Sequence, residues 1–370
     1  MKILQKLLPK LVLLLCLGVG SLSAMAQSER VYATGELNLI PGGDAETQYF
    51  AVNLENAAMN YVAYQMDIVL PDGVELAYYE GEPDIYIENT SIYPTNRSNA
   101  PYHSLAIEVY KGFIRVICAD IDGNRALKAK SGELFKVGVV ASPYLKPGDV
   151  KVQLRNIILS DKNSQGPEFD AVEPASVGTA STTSTLTLKV SAGNKFSTAI
   201  LPFDAELPVG LEAYSCESTN GENLILTNQT SMKAFTPYIL YAPNGYEGTL
   251  SGTVDAEKYA KQATEGYLTG TVVAHEVTGG EGHYVLQNQG EGPMFYRVGD
   301  TSFGIPAGKC WLTLPASQHS VSALQLHRPT GIETIPVHTI NSDAVYDLSG
   351  RRITTPTKGI YIVGGKKVLK

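Results

Sequence analysis

The chain has 370 residues, 44% hydrophobic and 18% charged, with a formal net charge of −8. That composition belongs to a globular protein long enough for about two domains. The acidic balance excludes nucleic acid as a partner, because an acidic surface repels phosphate backbones.

In chain order, Lys2, Lys6 and Lys10 precede a short apolar run from Leu11 to Val19, and Ala24-Met25-Ala26 follows as a small-x-small site. This three-part pattern marks residues 1–26 as a secretory signal peptide and starts the mature chain at Gln27. The run is too short to span a bilayer comfortably. Cys16 lies behind Leu14-Leu15, where a lipoprotein site needs small residues. Loss of the three lysines leaves 26 basic against 37 acidic residues, a net charge of −11. The expected destination is the extracellular space or outer cell surface, with the periplasm as the alternative. Three cysteines survive cleavage, so at most one disulfide forms. Cys216 and Cys310, in the same later region, are the candidate pair, and Cys118 shares a strand face with Ile114 and Val116 as a core thiol.

From Gly35 to Leu159 the period is two. In "VAYQMDIVLPDGVEL", Val62, Tyr64, Met66, Ile68 and Leu70 fall on one face and Ala63, Gln65 and Asp67 on the other. This predicts a half-buried strand ended by a turn at Pro71-Asp72-Gly73. "FIRVICA", "ELFKVGVVA" and "VKVQLRNIIL" repeat the pattern, with Lys151 and Arg155 on outer positions. Short strands at this spacing, without helices between them, predict a sandwich over residues 30–170. Between them, "AYYEGEPDIYIENTSIYPTNRSNAPYH" sets tyrosines among Gly, Pro, Asn and Asp. Tyr79, Tyr86, Tyr93 and Tyr102 are the candidate ligand-binding residues, suited to a sugar face or a protein. The competing reading makes them half-buried caps on the sandwich end.

"DIDGNRALKAKSGE" opens like a calcium loop, but its glycine is fourth (Gly123) and its twelfth residue is Ser131, which breaks the register. It reads as a hairpin turn, and no metal site is expected. Residues 171–184, rich in Ser, Thr and Ala, read as a linker. A second sandwich is predicted over 185–328, with an internal echo, "EGTLSGTV" and "EGYLTGTV", around a helical candidate at Asp255 to Thr264. His275-Glu276 lacks a histidine one turn on, at Gly279, so it is no zinc-protease helix. Cys310-Trp311 has only 60 residues after it and reads as strand core. No nucleophile elbow, P-loop or dinucleotide fingerprint occurs, and no cofactor is expected. A glycosidase's carboxylate pair leaves no local motif.

The first region resembles the cohesin-like branch of bacterial β-sandwich modules, through "VAYQMDIVLPDGVEL", "GFIRVICADIDG", "SGELFKVGVVA" and "PGDVKVQLRNIILSD". The resemblance implies a nine-stranded jelly roll that binds through a face or an end without catalysis. The second region is similar to modules of secreted Bacteroidales proteins, through "ILPFDAELPVGLEAY", "TPYILYAP", "HYVLQNQGEGPMFYRV" and "IPAGKCWLTLP". After a break at Pro329 to Gly331, residues 329–370 resemble the end of type IX secretion sorting domains. Gly350-Arg351, Gly359-Ile360-Tyr361 and Lys366-Lys367 carry that likeness, without the family's upstream P-N-P motif and in a shorter segment. The alternative for this segment is a structural cap paired with a sandwich edge.

The expectation is therefore an all-β protein with two tandem sandwiches of jelly-roll or immunoglobulin-like type and a short C-terminal β segment. Its expected role is non-enzymatic binding or adhesion, with a carbohydrate or an extracellular protein as partner. An accessory or catalytic component of polysaccharide breakdown, and a structural surface component, are the competing classes.

Overall fold

The computed structural model describes residues 29–43, 46–55, 59–77, 91–95, 97, 102–280, 282–328, 345–346, 352–353, 360–363 and 366–369. Among these residues the protein is all-β, and the one helical element is a 3-10 turn at Ala316–Gln318.

The first domain is a two-sheet sandwich. Its strands are β1 (Arg30–Gly35), β2 (Leu37–Leu39), β3 (Gln48–Glu55), β4 (Tyr61–Val69), β5 (Val74–Leu76), β6 (Ile92–Pro94), β7 (His103–Tyr110), β8 (Phe113–Asp120), β9 (Ser131–Ala141), β10 (Gly148–Asp161), β11 (Glu168–Ala171) and β12 (Ala175–Ala180). One sheet runs β1-β3-β9-β5, with β6 also on β9; the other runs β2-β12-β10-β4-β8-β7, with β11 also on β10. Alternating residues of the two sheets meet between them, where Phe50, Tyr64, Met66, Ile68, Phe135 and Leu154 are almost wholly buried. The Tyr64 and Phe135 rings stack at 5.9 Å. This inward alternation closes the sandwich, since a fully buried large side chain contributes roughly 1.5–3 kcal/mol.

β4 departs from the half-buried expectation. Every residue from Tyr61 to Ile68 is buried, including Gln65 and Asp67 on the outward face. The strand is central, and Asp67 is buried because it is paired with a cation rather than wetted. The stretch from Asp120 to Ser131 is corrected from a hairpin to a crossover, because β8 and β9 belong to opposite sheets. Its turn chemistry is as read: Gly123 takes φ +70°, and Asp120 Oδ2 accepts from the Asn124 and Arg125 amides at 2.7 and 2.9 Å. Arg97 locks the far end, donating to the carbonyls of Leu54 and Gly132, each at 2.8 Å, and of Lys128 at 3.1 Å.

Residues 171–184 are largely strand rather than linker. β12 pairs antiparallel with β10 and parallel with β2, and Val177 is fully buried. A bulge between Val150 and Lys151 and the close approach of Leu37 to Gly178 break the alternation that would have marked this strand. Strand Thr183–Val190 then begins the second domain by pairing with Tyr246–Thr253, so the passage between domains is very short.

The second domain is built on a ten-stranded sheet that curls until its first strand, Phe196–Ile200, meets Lys309–Thr313, the third strand from its other end. Thr198 Oγ1 accepts from the Cys310 amide at 3.0 Å, and the Ile200 amide reaches the Gly308 carbonyl at 3.3 Å. The helical candidate at Asp255 to Thr264 is instead turn and strand. Asp255 accepts from the Glu257 amide at 3.1 Å, and Gln262–Glu265 pairs with Leu268–Thr271 across a turn at Gly266, φ +56°. Helix-forming Ala, Glu and Lys are overruled here because the segment has no apolar stripe to bury. Cys216 and Cys310 are separate buried thiols, and so is Cys118. Cys216 Sγ donates to the Ser218 carbonyl and Cys310 Sγ to that of Ala199, so the candidate disulfide is not made. Burial pushes Cys216 up to about 11 and Cys310 up to about 12, which keeps both protonated at neutral pH.

The domains interlock through the β9–β10 loop. Tyr144, 8% exposed, packs within the second domain's core, with its hydroxyl over Gly308. Its carbonyl accepts from the Tyr259 hydroxyl at 2.6 Å, and the neighbouring Pro143 carbonyl accepts from Ser184 Oγ at 2.6 Å. A domain cut out without this tyrosine carries a void in its core. Residues 183–328 alone should therefore unfold at lower denaturant than the same domain within residues 29–328, by about 3–5 kcal/mol as for an excised core aromatic. Tyr144→Ala in the longer chain should reproduce the loss, and equal midpoints for both would contradict the interlock.

Candidate functional site

The four candidate tyrosines do not form one surface. Tyr79 and Tyr86 lie outside the described residues. Tyr93 stands on β6, against β9, while Tyr102 sits just before β7 on the opposite sheet. Each has acquired a partner from elsewhere. Tyr93 lies beside Tyr49, with ring centroids 5.9 Å apart, and Tyr102 lies under the Arg125 guanidinium at 3.6 Å. Arg125 also bridges to Asp122 at 3.0 Å and Asp120 at 3.6 Å. Burial alone would raise Asp120, but the Arg125 and Asn124 amides and the Arg125 charge outweigh it and hold the carboxyl below its usual range. Among the described residues no three His, Cys, Asp or Glu side chains converge on a point.

Of the C-terminal motif, Gly350, Arg351 and Gly359 lie outside the described residues. Tyr361 is buried on strand Ile360–Val363, which pairs with the strand Lys366–Leu369 that carries Lys366 and Lys367. With Val345–Tyr346 and Arg352–Ile353 these form a four-stranded sheet of their own. Among the described residues no strand of either sandwich pairs with it, which removes the paired-edge alternative for these strands.

The best-built surface is the outward face of β10-β4-β8-β7. Register places Arg155 opposite Asp67, Asp67 opposite Arg115, and Arg115 opposite Glu108, a row of alternating charge across four strands. Arg115 grips Asp67 with two hydrogen bonds of 2.7 and 2.8 Å, the planar fork matching the carboxylate. A third donor comes from Asn156 Nδ2 at 2.6 Å. Asn156 sits at φ +48° within a register shift of β10, so the bulge turns its carboxamide toward Asp67. Asn tolerates this left-handed conformation better than most residues do. The hydrogen bond to Asp67, which outweighs burial, raises Arg115 further above its already high range.

The next row carries aromatics. Tyr110 and Phe113 face each other across the β7–β8 turn, stacked at 4.6 Å, with Tyr110 38% exposed. Arg115 and Arg155 both lie over Phe113, at 5.4 and 5.6 Å, and the buried Arg155 Nε has no acceptor among the described residues. The result is a fixed patch of two stacked rings, two guanidiniums and an exposed carboxylate. It offers apolar area, stacking and charge-assisted hydrogen bonds at little ordering cost, the mixture that anchors protein interfaces. It presents no activated nucleophile or acid–base pair.

No family model matches this chain, and no curated protein matches it. Among solved structures it is similar to cohesin modules. A non-cellulosomal cohesin from the hyperthermophilic archaeon Archaeoglobus fulgidus is 16% identical over 41% of this chain and 89% of its own, with a TM-score of 0.27. CaCohA2 from Clostridium acetobutylicum is 14% identical over 41% and 89%, TM-score 0.30. A type I cohesin–dockerin complex from Clostridium thermocellum, Coh-OlpA-Doc918, contributes a match at 16% identity over 41% and 97%, TM-score 0.29. Scores this low leave the fold to stand on the strand order and cores described above.

Sequence reasoning missed Asp67, Arg115 and Arg155 because outward charges on strands ordinarily mean water. The one available cue was Asn156, a residue depleted in strands yet set amid "VQLRNIIL". Tyr110 and Phe113 flank Lys111-Gly112, the dipeptide that turns the β7–β8 hairpin, where Gly112 takes φ +93°.

Proposed function

We propose that the chain is an exported, non-enzymatic binding protein whose first sandwich engages a protein partner through the outward face of β10-β4-β8-β7. The observation that carries this reading is the convergence of Tyr110, Phe113, Arg115 and Arg155 on a prebuilt, partly exposed patch. The signal-like N-terminus and the acidic mature chain support display outside the cytoplasm, at the cell surface or beyond it.

The test uses the immobilised mature protein and envelope and culture fractions of its host. A discrete partner should be retained by the native protein and lost with Phe113→Ala and Tyr110→Ala, each weakening binding by about 1–3 kcal/mol. Both rings are partly exposed, so melting should change little. Arg115 is unsuited to this test, because its removal strands a buried carboxylate. Retention unchanged in the double variant would sink the reading.

The C-terminal segment acts, in this proposal, as an address. Its support is that the described strands pair among themselves, following Arg328, which ties off the second domain. Arg328 donates to both Glu212 oxygens, at 3.0 and 2.7 Å, and to the Tyr214 hydroxyl at 3.0 Å, and lies over Tyr241 at 3.6 Å. Deleting residues 340–370 should leave the melting temperature of the remainder unchanged while altering where the protein accumulates in host cells. A destabilised truncation that still reaches its usual compartment would refute the address role.

A further inference from the structure

The opposite face of the first sandwich holds a second recess, far from the charged row because it belongs to the other sheet. Register aligns Thr34 with Ala51, Ala51 with Lys136, and Lys136 with Tyr93, a row across β1, β3, β9 and β6. One row on, Tyr49 stands opposite Gly138. Short Ala51 and Gly35 leave a hollow of about 300 Å³ between taller neighbours, bounded by Thr34, Glu36, Tyr49, Glu133 and Lys136. The hollow is fixed by the backbone. A Cβ on Gly138 would lie 2.4 Å from Ser91 Cβ, 2.7 Å from Thr47 Cγ2 and 2.8 Å from Tyr49 Cε1, so glycine lets all three pack here.

Tyr49 walls the hollow, and Tyr93 stands beside Tyr49 and opposite Lys136. Each is 42% exposed, and their planes meet at 50°, an open V rather than a flat plate. Partial burial and a hydrogen bond with Tyr49 raise the Tyr93 phenol. The rim supplies acceptors and donors together. Glu133 lies 3.6 Å from Lys136, Glu36 is exposed, and Thr34 Oγ1 is held by Asn53 Nδ2 at 2.8 Å. Two carboxylates against one ammonium disfavour a phosphate or sulfate.

We propose that this recess is a binding site for one pyranose unit of a neutral glycan. A pyranose has apolar C–H faces that fit tyrosine rings and an equator of hydroxyls that donate and accept. Carboxylate, ammonium and threonine groups around a small aromatic hollow answer that pattern. The volume is at the low end for small-ligand sites and too small for a protein's interface core. The site adds to the protein-binding face and does not depend on it.

The test is titration of the mature protein with cellohexaose, mannohexaose, xylohexaose and maltohexaose at up to millimolar concentration, followed by calorimetry and by NMR of the tyrosine rings. A sulfated heparin hexasaccharide serves as the charged control. At least one neutral sugar should bind saturably and shift the Tyr49 and Tyr93 resonances. Tyr49→Ala should weaken it about tenfold or more and Tyr93→Ala by less, while Val209→Ala, at a fully exposed position of the second domain, leaves it unchanged. Binding of none of the four sugars overturns the proposal. So does binding that survives Tyr49→Ala with Tyr93→Ala, or preference for the sulfated control.

Discussion

The Asp67 carboxylate organises the first sandwich and the surface it presents. It is 1% exposed, on the outward face of a central strand, and three donors from two neighbouring strands converge on it. A carboxylate in such a place is tolerable only when paired and hydrogen-bonded. The pairing does more than neutralise charge. It fixes β4 between β8 and β10, requires the bulge that swings Asn156 toward it, and holds the Arg115 guanidinium over the Phe113 ring. Loss of Arg115 would leave the Asp67 charge buried without its cation, at a cost of roughly 3–5 kcal/mol. The patch therefore takes its rigidity from a carboxylate buried beneath it.

The second domain constrains that patch from the side. Tyr144 anchors it, and two exposed ion pairs, Lys111 with Glu276 at 2.7 Å and Lys261 with Asp72, bridge the domains on the side of the β7–β8 turn. Exposed pairs of this sort contribute little each, so the buried tyrosine carries the joint and the ion pairs trim its angle. A cleft of about 570 Å³ opens between the domains, with Val109, Tyr110 and Phe113 on one wall and Val272, Val273 and Ala307 on the other. The aromatic pair thus faces both the open sheet and this cleft.

Much of the architecture was legible in the chain. Period-two runs from Val62, Phe113, Glu133 and Val150 became β4, β8, β9 and β10, because core-facing alternation is a local property that survives in sequence. The Asp122-Gly123 and Pro71-Asp72-Gly73 turns followed from backbone chemistry in the same way. What escaped depends on which strand lies beside which. Asp67 reads as solvated until Arg115 is known to stand opposite it, and residues 175–180 read as linker because a bulge and a close glycine contact hide their alternation. The Cys216–Cys310 expectation failed for a related reason: nearness in sequence region says nothing about which carbonyl each thiol meets. Of the four tyrosines, Tyr93 stands beside a recess lined by Tyr49, a partner no local motif announces.

The central claim, that the outward face of β10-β4-β8-β7 meets a protein partner, is tested most directly in the host itself. A photo-crosslinking amino acid placed at Tyr110 and, separately, at the fully exposed Val209 of the second domain reports what each position touches in the assembled envelope. The account predicts one discrete protein adduct from position 110 on illumination and none from position 209. No adduct at 110, or the same adduct from both positions, would contradict it.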